Sequence, residues 1–183
     1  MELYEALRTR RTSGAFAPAA PPRALIERLI EAATWAPNHH LTEPWRFHVL
    51  AGDARDALAR AIGDVLPPAL DTPRERDAVR AKLARSPVVL VITQRGASAD
   101  PVRSLEDYAA CACATQNLLL AAHAEGLAAK WSTGKLARSS GAAAYLGLAE
   151  QDRIVAYVYL GYPAQPDASR GPQRAPATIT WHA

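Results

Sequence analysis

The chain has 183 residues, 49% of them hydrophobic and 21% charged, with a formal net charge of +3. That suffices for one compact domain over residues 1–183 with a real core, and the interspersed charges, lacking a basic block, an RNP-like motif or a Cys/His finger, argue against nucleic-acid binding. No segment approaches about eighteen uncharged apolar residues, and residues 1–11 lack the apolar run and cleavage site of a signal peptide, so a cytoplasmic protein with no membrane span is expected.

In chain order, residues 2–11 predict a first helix. Pro21-Pro22 opens a second, in which Leu25, Ile26, Leu29, Ile30 and Ala33 keep the helical period until Pro37 stops it. Trp45 to Leu50 reads as a strand, and Ala54 to Val65 as a helix ending before Pro67-Pro68. A charged surface helix is expected over 70–84, with a mobile part around Asp71–Pro73. Pro87 to Thr93 is a continuous β-branched run, the pattern of a strand buried on both faces and so of the sheet centre. Ser104 to Gly126 is alanine-rich with an acidic first turn and a closing glycine, which predicts one long helix covered on most sides. Leu127 to Ser132 and Ile154 to Leu160 complete the strands. The tail from Ala164, rich in Pro, Ala and Arg, has the composition of a segment that seldom packs alone. Helices first, then strands separated by helices, favour an α+β fold with a mixed sheet.

The familiar catalytic signatures are absent: no G-x-S-x-G elbow, no H-E-x-x-H, no phosphate loop and no G-x-G-x-x-G. His39-His40 has neither a third His nor a carboxylate at ligand spacing, so no metal site is expected. Cys111 and Cys113, two apart in a helical stretch, point to different faces and read as small core residues. Three segments stand out. Arg10-Arg11-Thr12-Ser13 offers two guanidiniums and two hydroxyls to a phosphate, or else a basic helix end that complements the dipole. The loop from Ala36 to Trp45 crowds amide, imidazole, hydroxyl and indole groups between a helix and a strand, or is a capped turn with Trp45 anchoring the core. Gly126 to Gly134 is an apolar strand opening into a small polar turn, whose backbone amides can reach a planar ring.

In this order and spacing, R-R-T near residue ten, A-P-N-x(5)-P-W near forty, a long helix ending in Glu125-Gly126, W-S-T-G at 131–134 and IVAYVYLGYP at 154–163 resemble the nitroreductase family, in its compact branch. The resemblance implies an α+β fold with a mixed, mainly antiparallel central sheet flanked by helices, and an intertwined homodimer with residues 164–183 packed on the partner subunit. It further implies FMN as cofactor and NADH or NADPH as electron donor. Carried over by position, Arg10, Arg11 and Thr12 contact the phosphate and ribityl side of FMN, Trp35, His39 and Glu43 approach the flavin from the other subunit, and Trp131, Ser132 and Thr133 form a further FMN-contacting turn. Ala121, Ala122, His123, Ala124, Glu125 and Gly126 match a stretch associated with the nicotinamide nucleotide. The implied activity is ping-pong hydride transfer through the flavin to a nitroaromatic or quinone, the alternative being a non-catalytic flavin carrier or sensor. Two departures bear on redox tuning: Gly14 and Ala15 stand where many relatives carry a cation, and Glu43 stands where glutamine is common.

Overall fold

The computed structural model describes residues 1–96, 98–165 and 174–182. Among these, the elements in chain order are α1 (Leu3–Thr9), α2 (Arg23–Thr34), β1 (Trp45–Ala51), α3 (Asp53–Gly63), α4 (Pro73–Leu83), β2 (Val88–Gln94), α5 (Pro101–Ala124), β3 (Ala128–Ser132), α6 (Ser140–Tyr145) and β4 (Arg153–Gly161). The strands form one sheet in the order β1-β2-β4-β3, with antiparallel ladders throughout. Among the described residues the mixed character rests on one isolated parallel bridge, Thr12 to Ala129.

The sheet separates two cores. Leu90 and Val158 stand opposite each other and join Leu29 and Ala33 of α2 with Leu118 and Ala122 of α5. The next pair, Val91 and Tyr157, points the other way, into Leu58 and Ile62 of α3, Leu83 of α4 and Ala142 of α6. Side chains alternate between the faces of a strand, so helices on both faces make every position of β2 a buried one.

Local chemistry sets the helix ends. Thr72 accepts from the Glu75 backbone N at 3.2 Å, with Pro73 at the first helical position, so residues 71–73, expected to be mobile, form the capped start of α4. Asp100 caps α5 by accepting from the Val102 N at 2.9 Å, and the helix begins three residues before the expected Ser104. At the other end Gly126 takes φ +74°, while its N donates to His123 O at 3.0 Å and Leu127 N to Ala122 O at 2.8 Å. This is the paired closure that a left-handed glycine permits. It turns the chain directly into β3. Of the two cysteines only Cys111 is in the core. Cys113 is exposed, which corrects the expectation that both are core residues: two positions along a helix are about 200° apart, so one faces the sheet and the other does not.

His48 on β1 is half-buried, and burial first, then the charge of Arg46, holds its imidazole below the usual 6.5, against an opposing pull from Asp152. The folded protein therefore resists a proton that the unfolded chain accepts. Stability is expected to fall as pH drops below about 6.5 and to go on falling until the folded imidazole titrates. Urea unfolding of the parent and of His48→Gln between pH 7.5 and 5 checks this, the variant giving the shallower decline.

Candidate functional site

Helix α1 closes at Arg10, whose N donates to Ala6 O at 3.0 Å before the chain leaves in an extended conformation. It then runs beside β3, where Thr12 bridges Ala129 and Ser13 N donates to Ala129 O at 3.2 Å. This brings Arg10, Arg11 and Thr12 to the strand that carries Trp131 and Ser132 and leads to Thr133. Trp131 packs partly against the core of α2 and α5, Ser132 is half-buried and Thr133 is exposed. Thr9 Oγ1 and His123 Nε2, 2.8 Å apart, tie α1 to the end of α5. Between these segments opens a cavity of about 640 Å³, lined by residues 11–15, His123, residues 126–128 and residues 163–165, with Met1 at its edge. Its size lies within the ordinary range for small-molecule sites. Arg10 and residues 131–133 do not line it directly.

Positive charge gathers in this corner. Burial lowers the affinity of Arg10 for its proton, and the charges of Arg11 and Arg174 lower it further. Among the described residues none of the three guanidiniums pairs with a carboxylate. Arg11 Nη1 donates to Arg8 O at 2.6 Å and to Arg10 O at 2.9 Å, which fixes the guanidinium, while its Nε is buried with no partner. Buried donors are ordinarily satisfied, and like charges cluster at a cost unless an anion joins them. A phosphate supplies both the missing acceptor and the missing charge. Arg174 was not identified from the sequence: nothing in the tail distinguishes it from the other arginines, and only folding brings it near residue 10.

Trp35, His39 and Glu43 lie elsewhere. Trp35 caps α2 with 80% of its surface exposed, beside a groove of about 390 Å³ that Arg28, Ala121 and Glu125 also line. His39 Nδ1 meets Glu106 Oε2 at 2.9 Å and its ring stacks on His40, centroids 3.7 Å apart. Ligand atoms of His39, His40 and Glu106 lie within 4.8 Å of one another, a carboxylate that sequence spacing did not reveal. The stacked rings send their in-plane lone pairs side by side and not to one point, so a shared metal requires them to rotate. Glu43 has an exposed side chain, and its N donates to Asn38 Oδ1 at 3.0 Å. His40, Leu41 and Glu43 all adopt positive φ (58°, 51° and 41°), costly for residues with a Cβ. The buried Asp107 pins this loop by accepting from Thr42 Oγ1 at 2.6 Å.

Residues 121–126 are split among several surroundings. Ala122 is fully buried in the core, His123 and Gly126 line the large cavity, Ala121 and Ala124 line the groove beside Trp35, and Glu125 pairs with Arg28 at 3.2 Å.

A model of the Nitroreductase family matches residues 7–162, from the last residues of α1 through β4. The chain belongs to the nitroreductase family. Its similarity to individual members extends over most of its length. The protein named "Putative NAD(P)H nitroreductase YdjA" of Escherichia coli (strain K12) is 28% identical over 163 residues, 89% of either chain. A nitroreductase-like family protein from Bacillus cereus superposes with a TM-score of 0.87 at 27% identity, covering 96% of this chain and 92% of that one. A nitroreductase with bound FMN from Bacteroides fragilis NCTC 9343 shares the fold over 100% of both chains, with a TM-score of 0.78 at 23% identity. No helix among the described residues is long and apolar enough to cross a membrane.

Proposed function

We propose that this protein is an FMN-dependent NAD(P)H oxidoreductase that works as a homodimer and reduces an acceptor such as a nitroaromatic or quinone. The observation that carries the reading is the set of three guanidiniums without carboxylate partners among the described residues, with the orphaned Arg11 Nε, beside a cavity at the end of α1. FMN fits this donor set. When bound it supplies two-electron chemistry, accepting hydride from a nicotinamide and passing electrons to a second substrate. The chain's own part is to bind and orient. Arg10, Arg11 and Arg174 hold the phosphate, Thr12, Ser132 and Thr133 offer hydroxyls to the ribityl chain and ring edge, and Trp131 shields the ring from water. Of residues 121–126, His123 and Gly126, which line the cavity, receive the nicotinamide nucleotide. No side chain is required as nucleophile, and donor and acceptor taking turns at one open face give ping-pong kinetics. Purified protein is expected to absorb in the blue and to lose that band on addition of NADH or NADPH. Colourless protein that FMN cannot reconstitute overturns the proposal.

A distance within the chain supports the dimer. Thr42 sits at Asp107 and Thr9 at His123, sixteen residues apart on α5, about 24 Å at the helical rise. One flavin meets both groups only when His39 and Glu43 come from a second subunit; Trp35 lies at the near end of α5, by Ala121 and Glu125, and the distance does not decide which subunit supplies it. The tail supports the same reading: Ile179 and Trp181 are 67% and 88% exposed, and Met1, Leu3, Tyr4 and Leu7 leave an apolar face on α1. A partner subunit is the natural cover for both, with residues 164–183 packed across it; of these, 166–173 and 183 lie outside the described residues. Sedimentation at micromolar concentration is expected to give a dimer, and a monomer rejects this half of the proposal.

Gly14 and Ala15 line the cavity and carry no charge, and nothing lies within 4 Å of a Cβ built on Gly14. Burial first, then the charge of Lys130, lowers the proton affinity of Lys82 on α4, so Lys130, the nearest cation in sequence to the 131–133 turn, lies on the side of the sheet away from Trp131. An Ala15→Lys variant is expected to raise the midpoint potential of the bound flavin by tens of millivolts, since about 1.4 kcal/mol corresponds to about 30 mV for a two-electron couple. Equal potentials in redox titration place residue 15 away from the flavin's N1 edge.

A further inference from the structure

A second cavity, of about 510 Å³, lies between the strained loop, the end of β2 and the first turns of α5. Its walls are His40, Leu41, Thr42 and Pro44 on one side, Arg95 with Gly96 and Ser98 on another, and Arg103 with Asp107 on the third. The backbone here is fixed: Arg95 N donates to Pro44 O at 2.7 Å, and Gly96 N, at φ +54°, donates to Asp152 Oδ1 at 2.7 Å. Asp107 is committed to the Thr42 hydroxyl. The two guanidiniums are not committed: among the described residues neither Arg95 nor Arg103 forms an ion pair. Two cations on different elements thus share one polar cavity with the hydroxyl of Ser98, and Arg103 stands on the first turns of a 24-residue helix whose positive dipole end opens there.

We propose that this cavity receives the carboxylate of an anionic electron acceptor, with Arg95 and Arg103 as its two cations. The inference rests on the flavin reading above, which brings the 38–44 loop to the partner's flavin and so sets an acceptor seated on that loop beside the ring. A carboxylate has an acceptor oxygen for each guanidinium and a charge to pair with them, a neutral amide of the same shape has one acceptor oxygen and no charge, and the difference appears as substrate choice.

The test compares 4-nitrobenzoate with its neutral isostere 4-nitrobenzamide as acceptors for the FMN holoenzyme. Each nitro group takes a hydride equivalent from NAD(P)H and a proton to give the nitroso compound, NAD(P)+ and water. The parent is expected to favour the carboxylate in kcat/KM by about tenfold or more. Arg95→Gln and Arg103→Gln each reduce that preference through KM, the double variant abolishes it, Lys at either position restores part of it, and kcat/KM for the amide falls much less than that for the carboxylate. Calorimetric titration of benzoate into oxidised protein gives the same ranking without turnover. A ratio that the substitutions do not move overturns the proposal and leaves two solvated arginines. A loss confined to NADPH relative to NADH also overturns it, assigning the cations to the donor's extra phosphate. If the parent holds no FMN, the proposed function fails and benzoate titration alone decides the cavity: binding that the double variant loses supports it, and no binding overturns it.

Discussion

Alanine at position 10 is expected to weaken FMN binding by roughly tenfold to a hundredfold while leaving the apoprotein about as stable as the parent. The two effects separate because Arg10 is partly buried beside Arg11 and Arg174, and among the described residues no carboxylate pairs with them. A charge-assisted contact to phosphate contributes on the order of 1.5–3 kcal/mol, which sets the loss of affinity. In the apoprotein, removing one of three like charges relieves repulsion, and the net change in stability stays within about 0.5 kcal/mol, as for an ordinary surface substitution. Quenching of free FMN fluorescence gives the affinity and thermal unfolding without flavin gives the stability. Unchanged affinity returns Arg10 to the role of a basic helix end, whereas parallel losses of affinity and stability make it a structural residue.

The second large effect concerns stability alone. Gly141 lies where α6 packs on α3, and a Cβ built there runs into the Ala61 carbonyl group and comes within 2.8 Å of Val65 Cγ2. The carbonyl belongs to helical backbone and cannot swing aside as the end of a flexible side chain does. A Gly141→Val substitution must therefore push α6 off α3 and open the core around Ala142, Leu58 and Ile62. A loss of about 3 kcal/mol or more is expected, at the upper end for overpacking. Gly14→Ala, with nothing within 4 Å of its Cβ, is the control, expected to shift the urea midpoint little. Equal midpoints for the two variants mean that α6 is not held against α3 as described.

The sheet and the long helices were legible in the sequence because their signals are local. The β-branched run 87–93 needs only its own composition to read as a doubly covered strand, and the 3.6-residue period of 25–33 names its buried face. Elements whose cause lies elsewhere were not legible. Helix α6 is six small or neutral residues without a usable period, and it exists because Ser139 caps it and Gly141 lets it nestle on α3. The site divides in the same way. Arg10, Arg11 and Thr12 form a contiguous motif, whereas the contributions of Arg174, of Glu106 to His39 and of Asp107 to Thr42 span more than sixty positions each and leave no mark on local composition. Cys113 shows the limit of composition even within a helix, since a small apolar residue in an alanine-rich stretch carries no sign of which face it occupies.

The pairing of residues 12 and 13 with β3 reaches beyond ligand binding. β3 is the last strand of its sheet, and without that neighbour its outer row of N–H and C=O groups stands open. Such a row is a template on which another chain adds a strand. The segment that presents the arginines is therefore also a guard on the sheet, and whatever holds it down protects the protein from self-association. The same short bridge presents the arginines and covers the outer edge of β3.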